Sequence, residues 1–158
     1  MINNPNIDSI DAKILEHLQA DASLSVSDIA DKIGMTPPPC WRRIRRLREE
    51  GILDKQVWLV DPQKVGLGVT VYATVKLVTH DPEATSAFQK AVQVYPQVQE
   101  CYILLGAIDV LLKVVAKDIE AYEHFFYNHL SLLPGVRAVK SNVMMTEVKK
   151  STQLPVAP

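Results

Sequence analysis

The sequence predicts an α+β chain in two parts, an N-terminal winged helix-turn-helix domain and a C-terminal ferredoxin-like βαββαβ domain. Three observations carry this prediction. Three short amphipathic helical patterns succeed one another before Gly51, the last two joined through Gly34. After Asp61-Pro62 the apolar period changes from helical to two, and segments of the two kinds then alternate in the order β, α, β, β, α, β. Between Arg42 and Arg48 there are five arginines in seven residues.

Taken in order, Met1 to Asn6 reads as a loose arm. A first helix spans about Asp8 to Ala20, with Ile10, Ile14, Leu15 and Leu18 at helical spacing and acidic residues early, where the helix dipole favours them. Ser25 with Asp28 forms a capping-box pattern opening a second helix, Val26 to Ile33, which Gly34 ends. The third helix opens at Thr36, a candidate N-cap, and Pro37 suits its first position because a missing N–H costs nothing there. Pro38 and Pro39 stay within the first turn, and Gly51 supplies the stop.

On this helix Cys40, Ile44 and Leu47 share one face, Arg42, Arg45 and Arg46 project oppositely, and Trp41, Arg43 and Arg48 sit on the flanks. Neighbouring like charges destabilise a helix, and only Glu49 and Glu50 are close enough to offset them. An external polyanion explains the cluster better than a solvated basic face. In a helix-turn-helix the second helix of the pair enters the major groove with its N-terminal residues nearest the bases. Pro38, Trp41, Arg42 and Arg45 are therefore candidates for base or sugar contact, with Thr36 and Pro39 beside them at the helix entry. Arg46 and Arg48 read as phosphate clamps, and Arg43 either as a third clamp or as the partner of an acidic residue inside the domain. Trp41 has the alternative of packing against a neighbouring helix. Ile52 to Val60 reads as a short strand or wing, where Lys55 could reach a phosphate.

The domains then run 1–60 for the helix-turn-helix part, 61–68 for a hinge with glycines at 66 and 68, and 69–150 for the second domain. Residues 151–158 read as a disordered tail. Val69 to Leu77 is a half-buried strand, and Asp81-Pro82 caps a helix carrying Ala84, Ala87, Phe88, Ala91 and Tyr95. Val98 to Leu105 and Val110 to Ala116 flank a turn. Asp118 caps a helix bearing Tyr122, Phe125, Phe126, His129 and Leu133, and Val136 to Val148 is the last strand. Two helices on one face of four strands leave the other face bare, which predicts a dimer.

Composition narrows the function classes. The net charge is −1, and from residue 61 onward nine Lys/Arg balance nine Asp/Glu, so nucleic-acid binding must be local to the arginine helix. Cys40 and Cys101 have no partnered spacing, which points to reduced thiols and to neither a disulfide framework nor a metal site. No apolar run reaches the length of a membrane span and the N-terminus lacks the form of a signal peptide, so a cytoplasmic chain is expected.

Several motifs together name a family. The P-P-C-x-x-R-I-R-R-L core from Pro38 to Leu47, the Gly51-Ile52 exit, the Asp-Pro connector, L-L-G-x-x-D ending at Asp109 and L-P-G-V from Leu133 to Val136 closely resemble the Lrp/AsnC, or feast/famine, transcription regulators. The resemblance runs from about Ile7 to Lys150. It implies a double-stranded DNA reader joined to an amino-acid-sensing domain, dimeric through that domain and often assembled to an octamer, with leucine or methionine as effector and no other cofactor. The effector residues it implies are Gly106, Asp109, Leu133, Pro134, Gly135 and Val136. Asp109 could accept from an ammonium group and backbone N–H groups near Gly135 could receive a carboxylate; on the residues alone, Asp109 reads equally as a turn residue bonding its own backbone. The chain departs from the family pattern at Ala107, where an acidic residue is usual. Two other classes compete with an effector-responsive regulator: a DNA-architectural protein without effector control, and a small-molecule enzyme. The enzyme reading finds no nucleophile with a paired base, no phosphate loop and no metal cluster in the sequence.

Overall fold

The computed structural model describes residues 7–79 and 81–157. The N-terminal arm expected over Met1 to Asn6 lies outside the described residues. Contacts divide the chain into two compact units, one running up to Trp58 and joined by the segment from Val148 onward, the other from Leu59 to Glu147.

The first unit holds α1 (Ser9–Ala20), α2 (Val26–Ile33) and α3 (Pro37–Glu49). Ile14, Leu15, Ile29, Ala30, Cys40, Ile44 and Leu47 form its core, one stripe from each helix. Asp8 caps α1 and Ser25 caps α2, each in a full capping box whose N3 partner is an aspartate. The left-handed backbone at Gly51 lets the chain turn back: Gly51 N–H donates to Arg48 at 3.0 Å and Ile52 N–H to Leu47 at 2.9 Å, satisfying carbonyls that the end of α3 leaves open.

Three sequence expectations need correcting in this unit. Thr36 makes no side-chain capping bond. Positions 37, 38 and 39 are all proline, so the first turn of α3 has no N–H to offer its hydroxyl. Ile52 to Val60 contains no strand. A strand needs a neighbour to pair its backbone, and among the described residues none pairs with this segment; Val57, Trp58, Leu59 and Val60 are instead exposed, Trp58 to 92%. Finally, the segment expected as a disordered tail packs on the first unit. Leu154 N–H donates to Gln19 Oε1 at 2.7 Å and Gln19 Nε2 donates to the Leu154 carbonyl at 3.2 Å, while Val156 lies against the helical core.

The second unit is the ferredoxin-like domain: β1 (Val69–Leu77), α4 (Pro82–Val92), β2 (Val98–Ile103), β3 (Val110–Ala116), α5 (Ile119–Asn128) and β4 (Val136–Val143). The strands lie in the order β2-β3-β1-β4, every neighbouring pair antiparallel. Alternate residues Val71, Ala73, Val75 and Leu77 of β1 are buried with Phe88 and Val92 of α4 and Tyr122 and Phe125 of α5. Both helices therefore cover one face. β4 ends at Val143, five residues earlier than its apolar pattern suggested; just beyond it the Met144 N–H still donates to the Thr70 carbonyl of β1 at 2.9 Å.

Candidate functional site

The α3 surface divides its arginines into two sets. Arg43 Nη1 donates to Asp8 Oδ2 at 2.7 Å and to Asp11 Oδ1 at 2.9 Å, and Arg46 Nη2 donates to the other oxygen of Asp11. Asp11 is wholly buried, so its charge is answered by two guanidinium groups from α3. Arg43, the open case in the sequence, is thus an internal partner. Arg46, expected to project outward as a phosphate clamp, turns towards α1 because the buried Asp11 carboxylate in its first turn lies within reach. Asp8 is held at about 2, first by the Asp11 N–H it accepts and then by Arg43; Arg43 in turn is raised by Asp8 and Asp11. The sequence reading missed both aspartates as anchors, although their capping-box spacing was visible.

Arg42, Arg45 and Arg48 are exposed. Arg45 Nε donates to Glu49 at 2.7 Å and its guanidinium carbon lies 5.5 Å from the centre of the Trp41 ring, so Trp41, Arg45 and Glu49 form a ladder one helical turn apart. Trp41 is 50% exposed and does not pack into a neighbouring helix. Thr36, Pro37 and Pro38 are exposed and Pro39 half-buried. Pro39, Arg42, Arg43 and Arg46 border one shallow depression with Asp8, while Pro37, Pro38, Trp41 and Arg42 border a second with Val26 of α2. Of the eight sequence candidates on this surface, Thr36, Pro38, Trp41, Arg42 and Arg45 are exposed, Pro39 is half-buried, and Arg43 and Arg46 are half-buried and committed to Asp11; Thr36 has no capping role.

At one end of the β-sheet the second group of candidates converges on the end of β1. Asp109, on the β3 side, accepts the Leu77 N–H at 2.8 Å and Lys76 Nζ at 3.2 Å, and its own N–H donates to the Val75 carbonyl. On the β4 side, Val136 is the register partner of Leu77, and the Gly135 carbonyl accepts the Val78 N–H at 2.8 Å. Gly135 has φ +75°, a backbone that a side chain would strain. The Asp109 carboxylate is buried and joined to β1. Gly106 and Pro134 are exposed, Leu133 is buried, and Gly135 and Val136 are half-buried. Lys76, half-exposed between the two loops, is a cation the sequence reading passed over because it sat on a strand's polar face like any solvated lysine.

Comparison with known proteins decides what these two surfaces belong to. The AsnC-type helix-turn-helix domain matches residues 7–48 and the Lrp/AsnC ligand binding domain matches residues 70–154. The transcriptional regulator AzlB of Bacillus subtilis (strain 168) is 37% identical over 95% of this chain and 96% of its own. The chain belongs to the Lrp/AsnC family.

This Lrp/AsnC chain also resembles solved members closely. An AsnC family transcriptional regulator from Agrobacterium tumefaciens matches at TM-score 0.89 with 39% identity, covering 94% of this chain and 96% of that one. The regulator NMB0573 from Neisseria meningitidis, solved as a complex with L-methionine, matches at TM-score 0.89 with 31% identity over 94% and 96%. The family's helix-turn-helix match ends at Arg48, so the outward arginines of α3 lie inside the matched region. The sheet end around Asp109 and Gly135 lies inside the ligand-binding match.

Proposed function

We propose that this Lrp/AsnC regulator binds double-stranded DNA sequence-specifically through α3, and that an amino acid such as leucine or methionine alters its assembly or its DNA binding. The observation that carries the DNA half is the sorting of the α3 arginines: Arg43 and Arg46 are committed to Asp11, whereas Arg42, Arg45 and Arg48 face outward beside the exposed Trp41. A helix entering the major groove by its N-terminal turns would bring Pro38, Trp41, Arg42 and Arg45 to the bases, with Arg48 nearer phosphate.

The amino-acid half draws on the Neisseria relative solved with L-methionine, and on the convergence of the 106–109 turn and the 133–136 loop at one sheet end. The bare sheet face and the exposed row Val57 to Val60 are what a homodimer would cover, and an octamer is the further assembly we expect. An architectural protein without effector control is the second reading. It is favoured by the Asp109 carboxylate, which already serves Leu77 and Lys76, together with the absence of an acid at position 107.

The test uses the full chain. Selection from a randomised duplex pool should enrich a roughly palindromic site, because a dimer presents two α3 helices. A melting screen over the twenty amino acids should then show stabilisation by leucine or methionine. No enrichment contradicts the DNA reading. Enrichment without any amino-acid response favours the architectural alternative.

A further inference from the structure

The α3 entry carries an apolar feature that arginine contacts do not explain. Val26 at the start of α2 faces Pro37, Pro38 and Trp41 at the start of α3 across an open depression of ≈ 560 Å³, with Arg42 as its polar margin. Trp41 is half-exposed and Pro37 and Pro38 are exposed, so with Val26 they present a contiguous apolar surface at the helix entry. One face of the indole is taken by Arg45, whose guanidinium carbon lies 5.5 Å from the ring centre, and Glu49 bonds Arg45 from the next turn at 2.7 Å.

Whatever docks here must be apolar where it meets Trp41 and anionic around it, since Arg42 and Arg45 border the contact. An apolar protein helix does not fit that combination. The major groove does: thymine places its C5 methyl group there, the one apolar group on a base-pair edge, between two phosphate strands. We propose that Val26, Pro37, Pro38 and Trp41 form a slot that takes the 5-methyl group of a thymine, making Trp41 a specificity-determining residue. This inference rests on the DNA-binding reading above and adds to it a base identity at one position of each half-site.

The probe is the duplex enriched from a randomised pool by the wild-type full chain, with each thymine replaced in turn by deoxyuridine, which removes only the methyl group. Fluorescence anisotropy should show one position per half-site where this lowers wild-type affinity by about three- to fivefold, the effect of burying one methyl group. Trp41→Gln should bind the thymine and deoxyuridine duplexes equally. Arg42→Ala should weaken both by the same factor and keep their ratio. The wild-type comparison needs no variant and so does not depend on Trp41→Gln folding. Equal wild-type affinity for every deoxyuridine duplex overturns the slot while leaving DNA binding intact. Retained methyl discrimination in Trp41→Gln, or a change in its oligomeric size in place of a change in discrimination, also overturns it. A pool that yields no duplex contradicts the DNA-binding reading, and the slot falls with it.

Discussion

Arg43 Nη1 reaches the buried Asp11 carboxylate at 2.9 Å, tying the arginine-rich helix to the first turn of α1. The same guanidinium bonds Asp8, the cap of α1, so one side chain fixes both the start of α1 and the middle of α3. Asp11→Ala leaves Arg43 and Arg46 without their shared partner. Because Asp11 is wholly buried and the arginines are partly hydrated, we expect a loss near the lower end of the range for broken buried pairs, about 3 kcal/mol. Chemical denaturation followed by helical circular dichroism measures it, and Asp11→Asn should recover part of the loss through its remaining acceptor.

Acid should weaken the same contact. The Asp8 carboxyl is lowered from 3.8 to about 2, so the folded form binds its proton less readily than the unfolded chain does. Its contribution is therefore present in full above about pH 4 and is lost as the pH falls through 2. Asp8→Asn should make the first unit's melting temperature less dependent on pH in this window than it is in the wild type. Parallel pH profiles for the two proteins contradict the assignment.

The fold was legible because each local signal agreed with its neighbours. Ser25 with Asp28 and the glycines at 34 and 51 marked helix ends that the structure places where their chemistry demands. The period-two run from Val69 to Leu77 gave the strand buried by both helices. What stayed hidden depended on partners distant in sequence. No helical wheel reveals that Arg46 meets Asp11, 35 residues away, or that Gln19 meets Leu154 across 135 residues. The wing failed for a related reason: a β-rich apolar run such as Val57 to Val60 specifies a willingness to pair, and the pairing strand has to come from somewhere. Thr36 was a misreading of a different kind, since capping needs a donor as well as an acceptor and three prolines supply none.

The C-terminal segment should stabilise the helical unit. Truncation after Lys150 removes both Gln19–Leu154 hydrogen bonds and the cover that Val156 gives the core. Each such bond contributes on the order of 1 kcal/mol. Hydrogen exchange should therefore quicken at the amides of α1, and Gln19→Ala should reproduce part of the effect. Unchanged protection in the truncated chain contradicts a packed tail.

Lys76 provides a test of the sheet end. If an amino acid binds there, Lys76→Ala should reduce the melting-temperature rise produced by leucine or methionine by more than it changes the melting temperature of the ligand-free protein. Lys76 is half-exposed, so its own contribution to stability should be within about 1 kcal/mol. An undiminished ligand-induced rise in the variant removes Lys76 from the site.

The division of the arginines is tested most directly by the salt dependence of binding to the selected duplex. Affinity measured between low and physiological salt by anisotropy gives a slope that reports phosphate charges neutralised, about 0.9 for each contact. Combined Arg42→Ala and Arg45→Ala should sharply reduce affinity while leaving the melting temperature and oligomeric size unchanged. Arg48→Ala should lower the slope by about one contact. Arg43→Ala should lower the melting temperature while changing the slope little in the protein that remains folded. Wild-type affinity and slope in the Arg42/Arg45 double variant would contradict the account.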